Sequence, residues 1–104
     1  MSGFGDIMKQ AQKMKAEMER IQAEVAVKTV EGSAGGGMVT VVANGKGELL
    51  STKIDPEVLQ SEDREMLQDL VTAAGNDALR KARELLSQEV AKLAGGLGLP
   101  PGLL

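Results

Sequence analysis

Six apolar residues, Ile7, Ala11, Met14, Met18, Ile21 and Val25, follow one another at steps of 4, 3, 4, 3 and 4. That is a heptad seam of period 3.5, the pattern of a helix that buries one narrow stripe against another helix. The residues between are mostly charged or polar, Lys9, Lys13, Lys15, Glu17, Glu19, Arg20 and Glu24 among them, and no Gly or Pro interrupts the run. The spacing predicts a helix from about Asp6 to about Glu24, with Asp6 as N-cap behind Gly5. So narrow a stripe buries little alone. It needs a second helix, from this chain or from another copy.

The partner surface is restricted in kind. Phe4 is the only aromatic residue among 104, so a core has to come from Leu, Val, Ile, Met and Ala. Such side chains suit closely packed helices and burial shared between subunits. Met8, Met14 and Met18, on or beside the seam, read as adaptable core filler.

Beyond Val25 the helical period is lost. "VAVKTVEGS", Val25 to Ser33, is rich in β-branched residues and reads as a strand. Gly35 to Gly37 break regular structure, and "MVTVVA", Met38 to Ala43, reads as a second strand. Asn44-Gly45 predicts a hairpin through a type I′ turn, which needs positive φ at both central residues. Glu48 to Ile54 forms the third strand. Asp55 and Pro56 start a short helical turn. Ser61 then opens a long helix, with Glu62, Asp63 and Glu65 where negative charge suits the helix dipole. Its apolar stripe runs from Leu67 through Ala74, Ala78 and Ala82 to Leu93, and Gly95-Gly96 is expected to stop it near Ala94. Asn76-Asp77 is unusual inside a helix. It reads as a polar exposed position, as a cap at a kink near Gly75, or as a hydrogen-bonding site where the helix meets the sheet or a partner. The fold class is therefore α+β, an α-β-β-β-α chain with a three-stranded antiparallel meander and two long helices. Residues 1–94 form one domain, and residues 95–104 a flexible Gly/Pro-rich tail.

The chemistry this chain can carry is narrow. There is no cysteine and no histidine, which removes disulfides, thiolate metal ligands, a Cys nucleophile and the commonest general base. Ser33, Ser51, Ser61 and Ser87 have no neighbouring base in a nucleophile motif. The glycines do not make a phosphate loop: Thr40 stands five positions before Gly45, and Gly47 follows Lys46, so the Walker pattern fails on both sides. They are turn residues instead. The carboxylates Glu62, Asp63, Glu65 and Asp69 are explained by a helix start, and no metal or cofactor is expected. No apolar run approaches the roughly 18 residues of a membrane span, no signal peptide is visible, and the expected compartment is the cytoplasm.

Two basic clusters remain. Lys9, Lys13 and Lys15 lie on the first helix, with Lys9 and Lys13 four apart and so on one face. Arg80, Lys81 and Arg83 lie on the last. They read either as solvated surface or as patches that neutralise phosphates. No helix-turn-helix, zinc finger or set of stacking aromatics accompanies them. The net charge of −3 argues mildly against a polyanionic partner. A second reading makes the heptad helix a dimeric protein-interaction module without DNA binding.

Four segments, in order, resemble the YbaB/EbfC family of nucleoid-associated proteins: "DIMKQAQKMKAEMERIQAEV", "NGKGELLSTKIDPEVL", "EMLQDLVTAAGNDALRKARE" and "GLGLPPGLL". The resemblance covers nearly the whole chain. Gly75 departs from it, standing where the family usually has a larger apolar residue. The resemblance implies a homodimer whose sheets associate and whose helices project as tweezer-like arms. It also implies duplex DNA as partner, effects on nucleoid organisation and gene expression, a cytoplasmic, nucleoid location, and neither catalysis nor cofactor. Lys9, Lys13, Lys15, Arg80, Lys81 and Arg83 would then face DNA, if the two helices line one cleft.

Overall fold

The computed structural model describes residues 3–98. Helix α1 spans Gly3–Ala26, strands β1, β2 and β3 span Thr29–Ala34, Val39–Asn44 and Leu49–Ile54, and helices α2 and α3 span Pro56–Gln60 and Arg64–Gly96. The strands form one antiparallel sheet in the order β1-β2-β3, so the α-β-β-β-α meander of the sequence reading is present.

Several boundaries differ from expectation, each for a local reason. The first helix runs on to Ala26 because Val25, assigned to a strand, is 1 % exposed and completes the buried end of the seam with Ile21. Asp6 lies inside the first turn rather than capping it. The long helix is capped by Asp63, whose carboxylate accepts from Met66 N at 2.9 Å. Ser61 instead closes α2, its Oγ donating to the Val58 carbonyl at 2.7 Å. Gly95 does not stop α3; the helix runs to Gly96 with Leu97 as its C-cap, and Gly98 turns off with φ 74°. Residues 99–104 of the expected tail lie outside the described residues.

The hairpin is right and its expected turn is wrong. Neither Asn44 nor Gly45 has positive φ; Gly47 does, at 83°. Gly47 N donates to the Asn44 carbonyl at 3.0 Å, and the Asn44 side-chain oxygen accepts from Lys46 N and Glu48 N. This is a three-residue loop closed by a left-handed glycine. Gly45 is needed for another reason. A Cβ there would sit 2.3 Å from the Val25 carbonyl oxygen. That same oxygen accepts from Gly45 N at 2.8 Å, so the hairpin satisfies a carbonyl at the end of α1.

The core lies between one face of the sheet and α3. Val39, Val41 and Ala43 pack on Ala74 and Ala78, with Val30, Ala34, Ile54, Leu70 and Val71 around them. Small residues set the spacing. Ala74, Ala78 and Ala82 recur every fourth position and are all buried. Opposite them a Cβ on Gly32 would lie 2.2 Å from Ala78 N, so strand backbone rests directly on helix backbone. α3 covers β1 and β2 and barely reaches β3, which is exposed along most of its length.

α1 packs antiparallel to the far end of α3. Lys28, just past α1, pairs with Glu89 at 3.5 Å, Ile21 shares a groove with Leu93, and Met14 shares one with Leu97. Beyond Met14, α3 has ended. The result is long, 73 × 22 × 17 Å, with a radius of gyration of 19.5 Å, where a compact chain of this length would have about 13 Å.

Candidate nucleic-acid interface

The six cations singled out in the sequence sit in two different environments. Lys9, Lys13 and Lys15 are exposed on the half of α1 that runs toward and past the end of α3. None has an ion-pair partner among the described residues.

Arg80 is committed. Its guanidinium is 2.7 Å from Asp77 on one side and 2.7 Å from Glu84 on the other, an i−3 and i+4 pair on one helix face. Its pKa is raised by those bonds, the one to Asp77 first. Lys81 is committed too. Its Nζ donates to the Glu31 carbonyl at 2.9 Å and lies 3.3 Å from Asp77. Arg83 alone of this cluster is exposed and free of an ion pair among the described residues. Arg20 repeats the Arg80 arrangement, held between Glu17 at 2.7 Å and Glu24 at 2.6 Å, with its pKa raised by Glu17 first.

The organising residue of the second cluster is Asp77. Its Oδ2 accepts from Ser33 N at 3.1 Å. With Lys81 on Glu31, it occupies main-chain groups of the edge strand β1 and covers that edge. The Arg80 hydrogen bond, then the Ser33 amide and Lys81, hold the Asp77 carboxyl down to about 2. Of the three readings of Asn76-Asp77, the meeting of helix and sheet fits Asp77. Asn76 is exposed and the helix runs through without a break. A Cβ on Gly75 would meet nothing within 4 Å, so no packing is lost there.

The two clusters do not form one patch within a chain. Lys13 lies beside Leu97 and Lys81 beside Glu31. The helix between residues 81 and 97 spans roughly 24 Å at 1.5 Å per residue. Sequence reasoning missed the pairing of Arg80 and Lys81, although acids three before and four after Arg80 were the signal for it. It also missed that half of the seam stays bare. Phe4, Ile7 and Met8 are 78, 62 and 45 % exposed, so Met8 is not core filler.

Among the described residues no group of three or more acidic side chains is gathered to hold a metal, and no helix is long and apolar enough to cross a membrane. Comparison with known proteins gives one consistent answer. A nucleoid-associated protein of Acetivibrio thermocellus is 55% identical, over 97% of this chain and 93% of its own. One of Syntrophobacter fumaroxidans is also 55% identical, over 92% and 91%. The crystal structure of an uncharacterized Helicobacter pylori protein superposes with a TM-score of 0.74 at 28% identity, covering 93% of this chain and 98% of that one. The profile of the YbaB/EbfC DNA-binding family matches residues 1–97, and the chain belongs to that family.

Proposed function

We propose that this protein binds duplex DNA as a homodimer at the nucleoid, through phosphate contacts made chiefly by Lys9, Lys13 and Lys15, and thereby affects nucleoid organisation and gene expression. The observation that carries the reading is the set of three exposed lysines in the N-terminal part of α1 that form no ion pair among the described residues. Arg83 is an auxiliary contact. Arg80 and Lys81 serve the fold first, because a phosphate would have to displace carboxylates already in place. Phosphate contacts carry no base information, and no base-reading element accompanies them, so sequence preference is slight. The action requires no catalysis and no cofactor.

The dimer is supported by β3. Its edge and most of its surface are bare, and Leu49 and Leu50 are more than half exposed. An uncovered apolar edge strand invites pairing. The β1 edge is covered by Asp77 and Lys81, so sheet association runs through β3. A dimer doubles the lysine set to six. Fluorescence anisotropy on a labelled duplex of arbitrary sequence, repeated over a range of salt, tests the reading. Six neutralised phosphates give a slope of log affinity against log salt of about −5. Failure to bind at low salt, or a flat slope, sinks it. Light scattering that shows a monomer at micromolar concentration sinks the dimer.

A further inference from the structure

We propose that Asn44-Gly45 is a covalent modification site, closed while the end of α1 is seated on the hairpin and open to succinimide formation when that joint lifts. The inference does not depend on the DNA-binding reading.

Asparagine followed by glycine loses its side-chain amide readily, because glycine has no Cβ to shield its nitrogen or restrict its backbone. The Gly45 nitrogen gives its proton to a solvent base and attacks the Asn44 Cγ. An N–Cγ bond forms, the Cγ–Nδ2 bond breaks, and ammonia leaves. Water then opens the cyclic imide, so the net exchange is one water for one ammonia. Opening at Cγ yields aspartate. Opening at the main-chain carbonyl yields isoaspartate, with the backbone rerouted through Cβ and Cγ.

The structure prepares one reactant and withholds the other. Asn44 Oδ1 accepts from Lys46 N at 3.0 Å and from Glu48 N at 3.1 Å, which draws electron density away from Cγ. Nδ2 donates to Glu48 Oε1 at 2.9 Å. The Gly45 N–H is spent elsewhere, on the Val25 carbonyl at 2.8 Å and the Lys28 carbonyl at 3.2 Å. Its proton cannot leave until both bonds break. Asn44 is also 8 % exposed, the only buried polar side chain among the described residues, so solvent base and water are kept from it. Val25 lies at the end of α1 and Lys28 just past it. The lock on the nitrogen is therefore the joint between α1 and the hairpin, whereas the bonds that activate Cγ lie within the hairpin loop itself.

Reseating α1 does not undo the reaction. Aspartate sets a carboxylate against Glu48 where the amide had donated. Isoaspartate adds a main-chain carbon where even a Cβ on Gly45 would sit 2.3 Å from the Val25 oxygen. Either product leaves α1 poorly seated.

Full-length protein is aged in warm, mildly alkaline buffer, and residue 44 is read by peptide mapping that separates asparagine, aspartate and isoaspartate. Folded protein should react at least about 100-fold more slowly than the same chain in strong urea. Equal rates overturn the proposal. Below the unfolding transition, the logarithm of the rate should rise with urea on less than about half the slope of global unfolding, because lifting the joint exposes little surface. A slope equal to the global one makes the whole fold the gate and overturns the proposal. Val25→Ala, which empties the joint, should speed the reaction about tenfold while hydrogen exchange in α3 stays unchanged. No acceleration overturns it. Asn44→Asp should raise exchange at residues 21–28 about tenfold, and unchanged exchange there overturns the claim that the modified joint stays open.

Discussion

The two basic clusters contrast the tip of α1 with the middle of α3. In sequence they look alike, three cations each within seven residues or fewer. At the tip of α1 the lysines form no ion pair among the described residues. In the middle of α3, Asp77 and Glu84 hold Arg80, while Asp77 and the Glu31 carbonyl hold Lys81. The difference teaches that a count of positive residues is not a count of available charges. Exposed ion pairs contribute little to stability, about 0–1 kcal/mol each, yet they still compete with an incoming phosphate. The α3 middle is a structural joint that happens to be basic, whereas the α1 tip is basic with no structural debt.

The contrast breaks most sharply under paired substitutions. Replacing Lys9 and Lys13 by Glu should weaken binding to every duplex by about 100-fold at moderate salt and flatten the salt slope. Replacing Arg80 and Lys81 by Ala should change affinity less than about threefold and instead lower the unfolding temperature. Anisotropy and circular dichroism on both pairs decide it, and equal losses of affinity would erase the distinction. Next in size is Gly32→Ala. A Cβ 2.2 Å from Ala78 N forces β1 off α3, costing about 1–3 kcal/mol. Chemical denaturation measures that loss, and the lysine-borne affinity of the folded fraction should survive it. Gly75→Ala lies two residues from Asp77 and meets nothing within 4 Å. It should stabilise α3 by up to about 1 kcal/mol and leave DNA affinity alone. A loss of stability there would point to a close neighbour contributed by a second copy in the proposed dimer.

The sequence carried the order of elements, because periods of 3.5 and 2 and the Asn-Gly hairpin signal are local properties of the chain. It carried much less of what depends on two elements meeting. Asn44-Gly45 announced a hairpin, but Gly45 is a glycine because α1 ends against it, a contact set by packing 20 residues away in sequence. Val25 looked like strand because β-branched residues suit strands, and burial at the end of α1 outweighed that propensity. The alanines of α3 read as a weak apolar stripe until Gly32 showed why they are small. For the candidate site, the lysines of α1 were legible as positions. The hydrogen bond from Lys81 to the Glu31 carbonyl was not, since the two residues stand 50 apart in sequence.

Asp77 gives the finest test, because one carboxylate both covers the β1 edge and holds two cations. Its carboxyl lies at about 2, below the usual value near 3.9 for an unfolded chain. The folded state therefore favours the ionised form. That contribution is fully present above pH 4 and is lost as pH falls toward 2. Glu89, lowered by Lys92 first and also by Lys28, acts in the same direction, so the wild-type curve alone does not isolate Asp77. The difference between wild type and Asp77→Asn does. The variant should unfold at lower temperature at pH 7, and the gap should close on acidification from pH 4 to pH 2. At pH 7 the same variant leaves Arg80 and Lys81 less engaged, so duplex affinity should rise a fewfold and its salt slope should steepen. A rise as large as the loss in the Lys9/Lys13 variant would mean that the α3 cluster is a latent binding site, restrained by Asp77 rather than built only to hold the strand.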